Sequence, residues 1–211
     1  MDIDFTSLGA YQRYKLMASL IVPRPIALVT TISEAGVVNA APFSMFNMLG
    51  EDPPIVMISI NRMHDGRMKD TAANILANGE LVVHLADEAI ADKMHGCAEA
   101  YPPEVSELDM VGFTPVPSLT VKPPRIAEAP VAFECVRHEV LETPSRYVFI
   151  ARILSLHVRD GLVDTQLWRV RLQQFFPVGR FGASFYVRTR DRFSIGGKDL
   201  ETANSTGIDE I

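Results

Sequence analysis

The apolar residues of this chain come in short runs that are separated by prolines, glycines and polar turns. The longest runs, such as Ile26–Val29 and Ile55–Ile58, have the length of β-strands. Many short strands with few helices favour a mainly β fold, a closed β-barrel with helical insertions. A parallel α/β sheet would need strands that alternate with helices throughout, and only the segment from Ile55 to Leu85 shows that alternation. The sequence therefore predicts the barrel.

Individual elements follow from periodicity and from turn residues. Helices are predicted over Tyr11–Leu20, after Lys69-Asp70-Thr71 as far as Asn78-Gly79, and after an N-cap at Asp87. Strands are predicted over Ile26–Ile32, which forms a hairpin with a strand starting at Val37-Val38, and over Ile55–Ile60, Glu80–Leu85, Ala132–Leu141, Tyr147–Val158 and, more weakly, Arg188–Phe193. Seven prolines between Tyr101 and Pro130 exclude long regular elements there, so this part should be a wrapping arm with one helical turn around Val105–Leu108.

Composition sets the class of protein. The 211 residues predict one domain over residues 1–195, followed by a polar, acidic tail over residues 196–211 that is mobile or docks on a partner subunit. A net charge of −6 argues against a nucleic-acid binder, which needs a basic face. No apolar run approaches the roughly 18 residues needed to span a membrane. With no signal segment and no CxxC pair, Cys97 and Cys135 predict reduced thiols in a cytoplasmic protein.

Common catalytic and metal-binding patterns are missing from the sequence. His84, His95 and Cys97 do not complete a zinc pattern, and both histidines are expected on element surfaces. No GxSxG elbow, Walker loop or GxGxxG motif occurs, so hydrolase and Rossmann dehydrogenase functions have little support. The segment from Pro23 to Thr71 contains polar turns between apolar strands. This arrangement suits a flat polar ligand with a phosphate.

Several blocks in a fixed order resemble one known family. PRPIALVTT, NAAPFSMFN, PPIVMISI and KDTAANI, followed by CAEAYPPEVSELDMVGFTPVPS, VAFECV and PVGRFGASFY, resemble the flavin reductase-like, FMN-binding split-barrel proteins over roughly residues 10 to 190. The resemblance implies a six-stranded antiparallel split barrel of the Greek-key type. It also implies a homodimer with one FMN per subunit near the dimer interface, and commonly NAD(P)H-dependent flavin reduction. One departure is His84, where relatives usually carry asparagine.

The resemblance assigns candidate cofactor-binding residues to two segments. The segment Asn39–Asn47 is the candidate for the isoalloxazine ring, through Asn39, Ala41, Pro42, Phe43, Ser44, Phe46 and Asn47. Core packing is an equal alternative for the two phenylalanines. The loop up to Thr71 is the candidate for the phosphate, through Asn61, Arg62, Lys69, Asp70 and Thr71. Without the resemblance, Asp70 or Thr71 would be read as a helix cap and the cations as a solvated loop.

Three further residues are weaker candidates. Thr30 lies on the first strand, where it faces the ribityl chain or simply satisfies β-propensity. Arg180 lies in VGRFGASFY, where glycines allow close approach to a planar ligand or another subunit. Arg24, held extended between two prolines, approaches the flavin edge or forms a surface salt bridge.

The leading hypothesis is an FMN-dependent oxidoreductase that takes hydride from NAD(P)H. In this class the flavin carries the chemistry, so no acid–base residue of the protein is predicted. The first alternative is a non-enzymatic electron carrier or flavin store with the same fold. The second is a structural β-barrel whose ligand site has decayed, which the intact KDT and NAAPFSMFN blocks disfavour.

Overall fold

The computed structural model describes residues 1–195, and the predicted tail at residues 196–211 lies outside the described residues. The helices are α1 (Ala10–Leu20), α2 (Asp70–Asn78), α3 (Ala91–Gly96) and α4 (Glu107–Val111), with single 3₁₀ turns at Phe5–Ser7, Glu88–Ile90 and Leu172–Gln174. The strands are β1 (Arg24–Pro25), β2 (Ala27–Ile32), β3 (Val38–Phe43), β4 (Phe46–Glu51), β5 (Pro54–Asn61), β6 (Glu80–Leu85), β7 (Pro115–Val116), β8 (Arg125–Ile126), β9 (Val131–Glu142), β10 (Arg146–Val158), β11 (Val163–Asp164), β12 (Arg169–Val170), β13 (Gly179–Gly182) and β14 (Phe185–Val187). The mainly β class is confirmed.

One antiparallel sheet forms the body of the molecule, in the order β3-β2-β6-β9-β10-β5-β4. Its two edge strands, β3 and β4, are consecutive in the chain and joined only by Ser44 and Met45. The sheet therefore curls until its edges meet at this corner, where the Ser59 N–H donates to the Met45 carbonyl at 2.8 Å. The main sheet has seven strands instead of the expected six, because the chain bends at this corner and continues as β4.

Several predicted elements are confirmed with close bounds. β2 and β3 form the expected hairpin, and the Ser33 N–H donates to the Val37 carbonyl at 2.9 Å across the turn. Gly79 ends α2 with a positive φ of 73°, a conformation that favours glycine. Asp87 accepts the Ala89 N–H as an N-cap. The strand predicted over Arg188–Phe193 is wrong, since the last described strand is β14.

The sheet is buried on both faces along β2 and β6. Ala27 and Val29 point into the barrel, where they pack with Phe149 and other apolar side chains. The alternate residues of the same stretch, Ile26 and Leu28, pack with a second cluster beneath α3, α4 and the proline-rich arm. Helix α2 packs on the first cluster through Ile75. This double burial explains the continuous apolar runs in the sequence.

Buried polar side chains hold the proline-rich arm against the barrel. His84, expected at a surface, is fully buried: its Nδ1 lies 3.0 Å from the Leu28 carbonyl and its Nε2 accepts the Ile126 N–H at 3.0 Å. Glu134 accepts the backbone N–H groups of Leu119 and Thr120. These contacts satisfy backbone groups of a segment that has few strand partners of its own. Within residues 1–195, no helix combines the length and apolar character required to cross a membrane.

Candidate functional site

A cavity of about 580 Å³ opens where the barrel corner meets α1 and the small sheet β1-β13-β14. Its lining is Tyr11, Tyr14, Lys15, Ala18, Ser19, Arg24, Ile26, Pro42, Phe43, Ser44, Met45, Ser59, Asn61, Lys69, His95, Ala98, Arg146, Arg180, Ala183 and Tyr186. The volume suits a cofactor-sized ligand. Aromatic rings, hydroxyls and cations line it together, whereas no aspartate or glutamate within residues 1–195 belongs to the lining.

The first polar wall of this cavity comes from the barrel, and we call it the barrel wall. It consists of Asn61, Lys69 and Arg146. Asn61 and Arg146 are directly opposite each other on β5 and β10, and the Arg146 guanidinium donates to the Ser59 carbonyl at 3.4 Å. Lys69 is the N-cap residue of α2 and contributes no side-chain cap, so its ammonium is free to face the cavity, 5.9 Å from the centre of the Phe43 ring.

The second polar wall is a row of side chains across the small sheet, which we call the cross-strand row. Arg24 on β1 is directly opposite Arg180 on β13, and Arg180 is directly opposite Tyr186 on β14. The Arg180 guanidinium lies 4.9 Å from the centre of the Tyr186 ring. His95, from α3, extends the row through a hydrogen bond of 2.9 Å between its Nδ1 and the Tyr186 hydroxyl.

The cations of both walls are poorly compensated. Within residues 1–195, none of Arg24, Lys69, Arg146 and Arg180 forms an ion pair with a carboxylate. Burial lowers the pKa of Lys69, and the neighbouring charge of Arg146 lowers it further. Burial also lowers the pKa of Arg24, and the neighbouring charge of Arg180 lowers it further. An anion that enters the cavity relieves this repulsion, so the arrangement is suited to anion binding.

The structure brings six of the predicted cofactor-binding residues together in the cavity lining: Pro42, Phe43, Ser44, Asn61, Lys69 and Arg180. Phe43 is also part of the barrel core, so this side chain both packs in the core and lines the cavity. Ser44 stands at the corner, where its Oγ lies 3.5 Å from the Arg24 Nε. These residues come from three separate stretches of sequence, which the closed barrel and the small sheet bring together.

The other predicted residues lie outside this lining, and their cofactor roles stay predictions. They are Thr30, Asn39, Ala41, Phe46, Asn47, Arg62, Asp70 and Thr71. Thr30 is buried and donates to the Pro124 carbonyl at 2.6 Å, which fixes the arm. Arg62 pairs with Glu142 and donates to the Tyr147 hydroxyl at 2.7 Å. Phe46 belongs to the core, and the Asn47 side chain accepts the following backbone N–H.

Asn39 and Thr71 belong to a buried polar cluster beside α2. The Asn39 amide donates to the Thr71 hydroxyl at 2.8 Å, and the Asn74 amide donates to the Thr31 hydroxyl at 3.0 Å. The Thr71 side chain thus fastens the first turn of α2 to β3, and Asn74 fastens the same helix to β2. This positions the neighbouring Lys69 at the cavity.

Sequence reasoning missed the contributions of Tyr11, Tyr14, His95 and Arg146 to the cavity, and it favoured a surface salt bridge for Arg24. Arg24 instead donates to the Ala18 and Ile21 carbonyls at the end of α1, each at 2.6 Å, while its side chain lines the cavity. Arg146 reaches the cavity because β10 pairs with β5 and sets it opposite Asn61, a pairing of distant strands that no local spacing indicates. No local motif indicates the tyrosines of α1.

Metal-binding groups are dispersed. Over the described part of the chain, no three His, Cys, Asp or Glu side chains are grouped so that they could hold a metal ion. Both cysteines are free and buried, and burial raises the pKa of each thiol to about 12. Thiolate chemistry is therefore disfavoured at neutral pH.

Comparison with known proteins gives concordant results. The sequence pattern of the flavin reductase like domain matches residues 17–174. The 2-nitrobenzoate 2-nitroreductase NbaA of Pseudomonas fluorescens is 38% identical, with a TM-score of 0.84 over 92% of this chain and 95% of that one. Nitrilotriacetate monooxygenase component B of Bacillus cereus is 30% identical, with a TM-score of 0.87 over 92% and 98%. A protein with a split barrel domain from Shewanella frigidimarina is 19% identical and shares the fold, with a TM-score of 0.76 over 92% and 98%.

Proposed function

This chain belongs to the flavin reductase-like family, and we propose that it is an oxidoreductase that holds FMN in the cavity and takes hydride from NAD(P)H. Family membership supports a flavin-binding oxidoreductase. The observation that carries the finer proposal is a set of cations in a cofactor-sized cavity that form no ion pair with a carboxylate of residues 1–195. A phosphate is the part of FMN that such cations recognise, since it carries close to two negative charges.

The residues present fit FMN. On the barrel wall, Lys69 and Arg146 would hold the phosphate, with the amide of Asn61 beside them. The corner at Ser44 offers a hydroxyl and exposed backbone groups to the polar edge of a flat ring. Tyr11 and Tyr14 supply aromatic surface from the opposite side. When bound, the flavin supplies two-electron redox chemistry.

The protein's own contribution is to bind, orient and tune. The positive charges of Lys69 and Arg146 raise the electrostatic potential in the cavity and thereby favour an anionic ligand over a neutral one. Residues of helix α1 and of the corner around Phe43 line the cavity and would contact the bound flavin. Neither wall presents a carboxylate, so the protein is expected to steer charge rather than act as a general base.

We further propose a homodimer. Helix α1 has no buried residue, and its Met17 and Leu20 are 48% and 73% exposed. On the sheet edge, Met48 and Leu49 of β4 are 66% and 49% exposed. An exposed apolar sheet edge is a feature that soluble proteins normally cover. A second copy of the chain is the proposed cover, and light scattering after size exclusion should give twice the subunit mass.

The test of the flavin proposal is a visible spectrum of the purified protein, repeated after anaerobic addition of NADH or NADPH. We expect flavin absorbance that bleaches, and extraction that releases FMN instead of FAD. A colourless protein that takes up no FMN would overturn the proposal. Bound FMN that reduces with dithionite but with neither nucleotide would instead support the electron carrier or flavin store.

Two charge-removing variants locate the phosphate. Lys69→Gln and Arg146→Gln should each weaken FMN binding about 10- to 100-fold, the loss of one charge-assisted hydrogen bond of roughly 1.5–3 kcal/mol. The matched control is Arg152→Gln, which removes an exposed arginine of β10 that is not part of the cavity lining. FMN affinity that is equal in all three variants would place the phosphate elsewhere.

A further inference from the structure

The cross-strand row contains an arrangement that is unfavourable without a ligand. Arg24 and Arg180 are directly opposite each other on β1 and β13. Like charges in directly opposed positions of an antiparallel pair destabilise it. Both side chains line the cavity, to which the described part of the chain, residues 1–195, contributes no carboxylate. The two guanidinium groups thus form a ready site for an oxyanion.

The remainder of the row adds neutral hydrogen-bonding groups. Tyr186, directly opposite Arg180, offers a hydroxyl to the cavity, and His95 fixes that hydroxyl at 2.9 Å from its Nδ1. Arginine's planar fork matches the two oxygens of a carboxylate or the oxygens of a phosphate. The row therefore combines charge, a planar fork and an oriented hydroxyl.

The barrel wall is a separate pair of cations. Lys69 and Arg146 lie on the barrel, and Arg146 is 5.7 Å from the centre of the Tyr14 ring on α1. The charge of Arg146 acts on Lys69, as the charge of Arg180 acts on Arg24. One phosphate with close to two negative charges is compensated by one such pair. A cavity with two pairs has the capacity for a second anionic group.

We propose that the cross-strand row binds an oxyanion of the second reactant, a carboxylate or a diphosphate, and not the phosphate of the flavin. The identity of that reactant rests on the proposed function, in which FMN uses the barrel wall. Arg180, which the sequence pattern grouped with the cofactor-binding residues, is thereby assigned to the reactant that meets the cofactor.

Titration calorimetry at low salt tests this assignment with two probes, benzoate for a carboxylate and ADP for a diphosphate. Each is titrated into the full chain with and without saturating FMN. We expect at least one probe to bind in the presence of FMN, and Arg180→Gln to weaken it at least about tenfold. Arg180→Lys, which keeps the charge but loses the fork, should be intermediate. The control Arg152→Gln should match the wild type.

The outcomes separate the two proposals. Binding of benzoate alone identifies a carboxylate reactant, and binding of ADP alone identifies a diphosphate such as that of a pyridine nucleotide. The assignment is overturned if neither probe binds, if Arg180→Gln leaves binding unchanged, or if FMN displaces the probe. It is also overturned if Arg180→Gln weakens FMN as much as Lys69→Gln does. If FMN itself does not bind, the flavin proposal fails, while the titrations without FMN still decide the role of the row.

Discussion

The buried imidazole of His84 should make the stability of this protein depend on pH in a specific way. Its Nδ1 faces the Leu28 carbonyl, which only accepts, and its Nε2 faces the Ile126 N–H, which only donates. The ring is therefore neutral with its proton on Nδ1. Protonation would set two donors against each other in a fully buried site. Burial lowers the pKa of His84 from 6.5 to about 4, and the nearby charges of Arg125 and His157 act in the same direction.

The direction of the pH dependence follows from proton binding at His84 in the folded and the unfolded protein. Between pH 6.5 and pH 4 the unfolded chain binds a proton at His84 that the folded protein excludes, so stability is complete above pH 6.5 and is lost as the pH falls. The difference between a pKa of 6.5 in the unfolded chain and about 4 in the folded protein corresponds to roughly 3 kcal/mol of stability. About 2 kcal/mol of this stability is already lost at pH 5. This is a large part of the stability of a typical domain.

Urea unfolding at pH 7.5 and pH 5 measures this loss in the wild type and in His84→Gln. The amide of glutamine retains a donor and an acceptor but does not titrate. We expect the free energy of unfolding of the variant to fall by about 2 kcal/mol less than that of the wild type between the two pH values. Other titrating groups are common to both proteins and cancel. His138→Gln, which replaces an exposed histidine of β9, is the matched control. Equal pH dependence of the wild type and His84→Gln would refute the reasoning.

Three further predictions concern packing and buried hydrogen bonds. Thr71→Val should lower the free energy of unfolding by about 1–3 kcal/mol, because the buried Asn39 amide loses its 2.8 Å acceptor and keeps only the longer hydrogen bond of 3.4 Å to the Thr31 hydroxyl; Thr71→Ser should recover most of this in urea unfolding. Gly96→Ala should destabilise the protein by about 1–3 kcal/mol, since a Cβ there would lie 2.8 Å from a methyl of Val111, and adding Val111→Ala should restore the thermal midpoint if that contact is the cause. Phe149→Ala should cost about 3–5 kcal/mol because its ring is fully buried in the barrel, and a loss below 1 kcal/mol would contradict this description of the core.

The elements whose bounds were predicted well are those whose ends are set by residues adjacent in the sequence. β6 has the predicted bounds, Glu80–Leu85, because an unbroken apolar run follows the helix-ending Gly79. β4 was missed because its residues are mostly exposed and it lies at a sheet edge, where burial imposes no alternation. Among the described residues, the predicted strand Arg188–Phe193 has no neighbouring strand to pair with. Arg190 instead binds Glu88, and Arg192 donates to the Leu172 and Phe175 carbonyls.

The site was predictable only where a continuous motif carried it. Ser44 and Lys69 are in the recognised blocks, and both line the cavity. Arg146 and Tyr14 reach the same cavity through the pairing of distant strands and the position of α1, which no local spacing encodes. Arg62 was favoured for its place at a strand end, but its partner Glu142 lies far away in sequence and is invisible to local reasoning.

Arg24 contacts both the end of helix α1 and the ligand cavity, and so connects the two. One nitrogen of its guanidinium closes the end of α1 at Ala18 and Ile21, while the same side chain lines the ligand space. The helix has no buried residue of its own, so this arginine is a main anchor. Trimming or tagging the amino terminus would therefore change ligand affinity in two ways, through this anchor and through the α1 residues that line the cavity themselves.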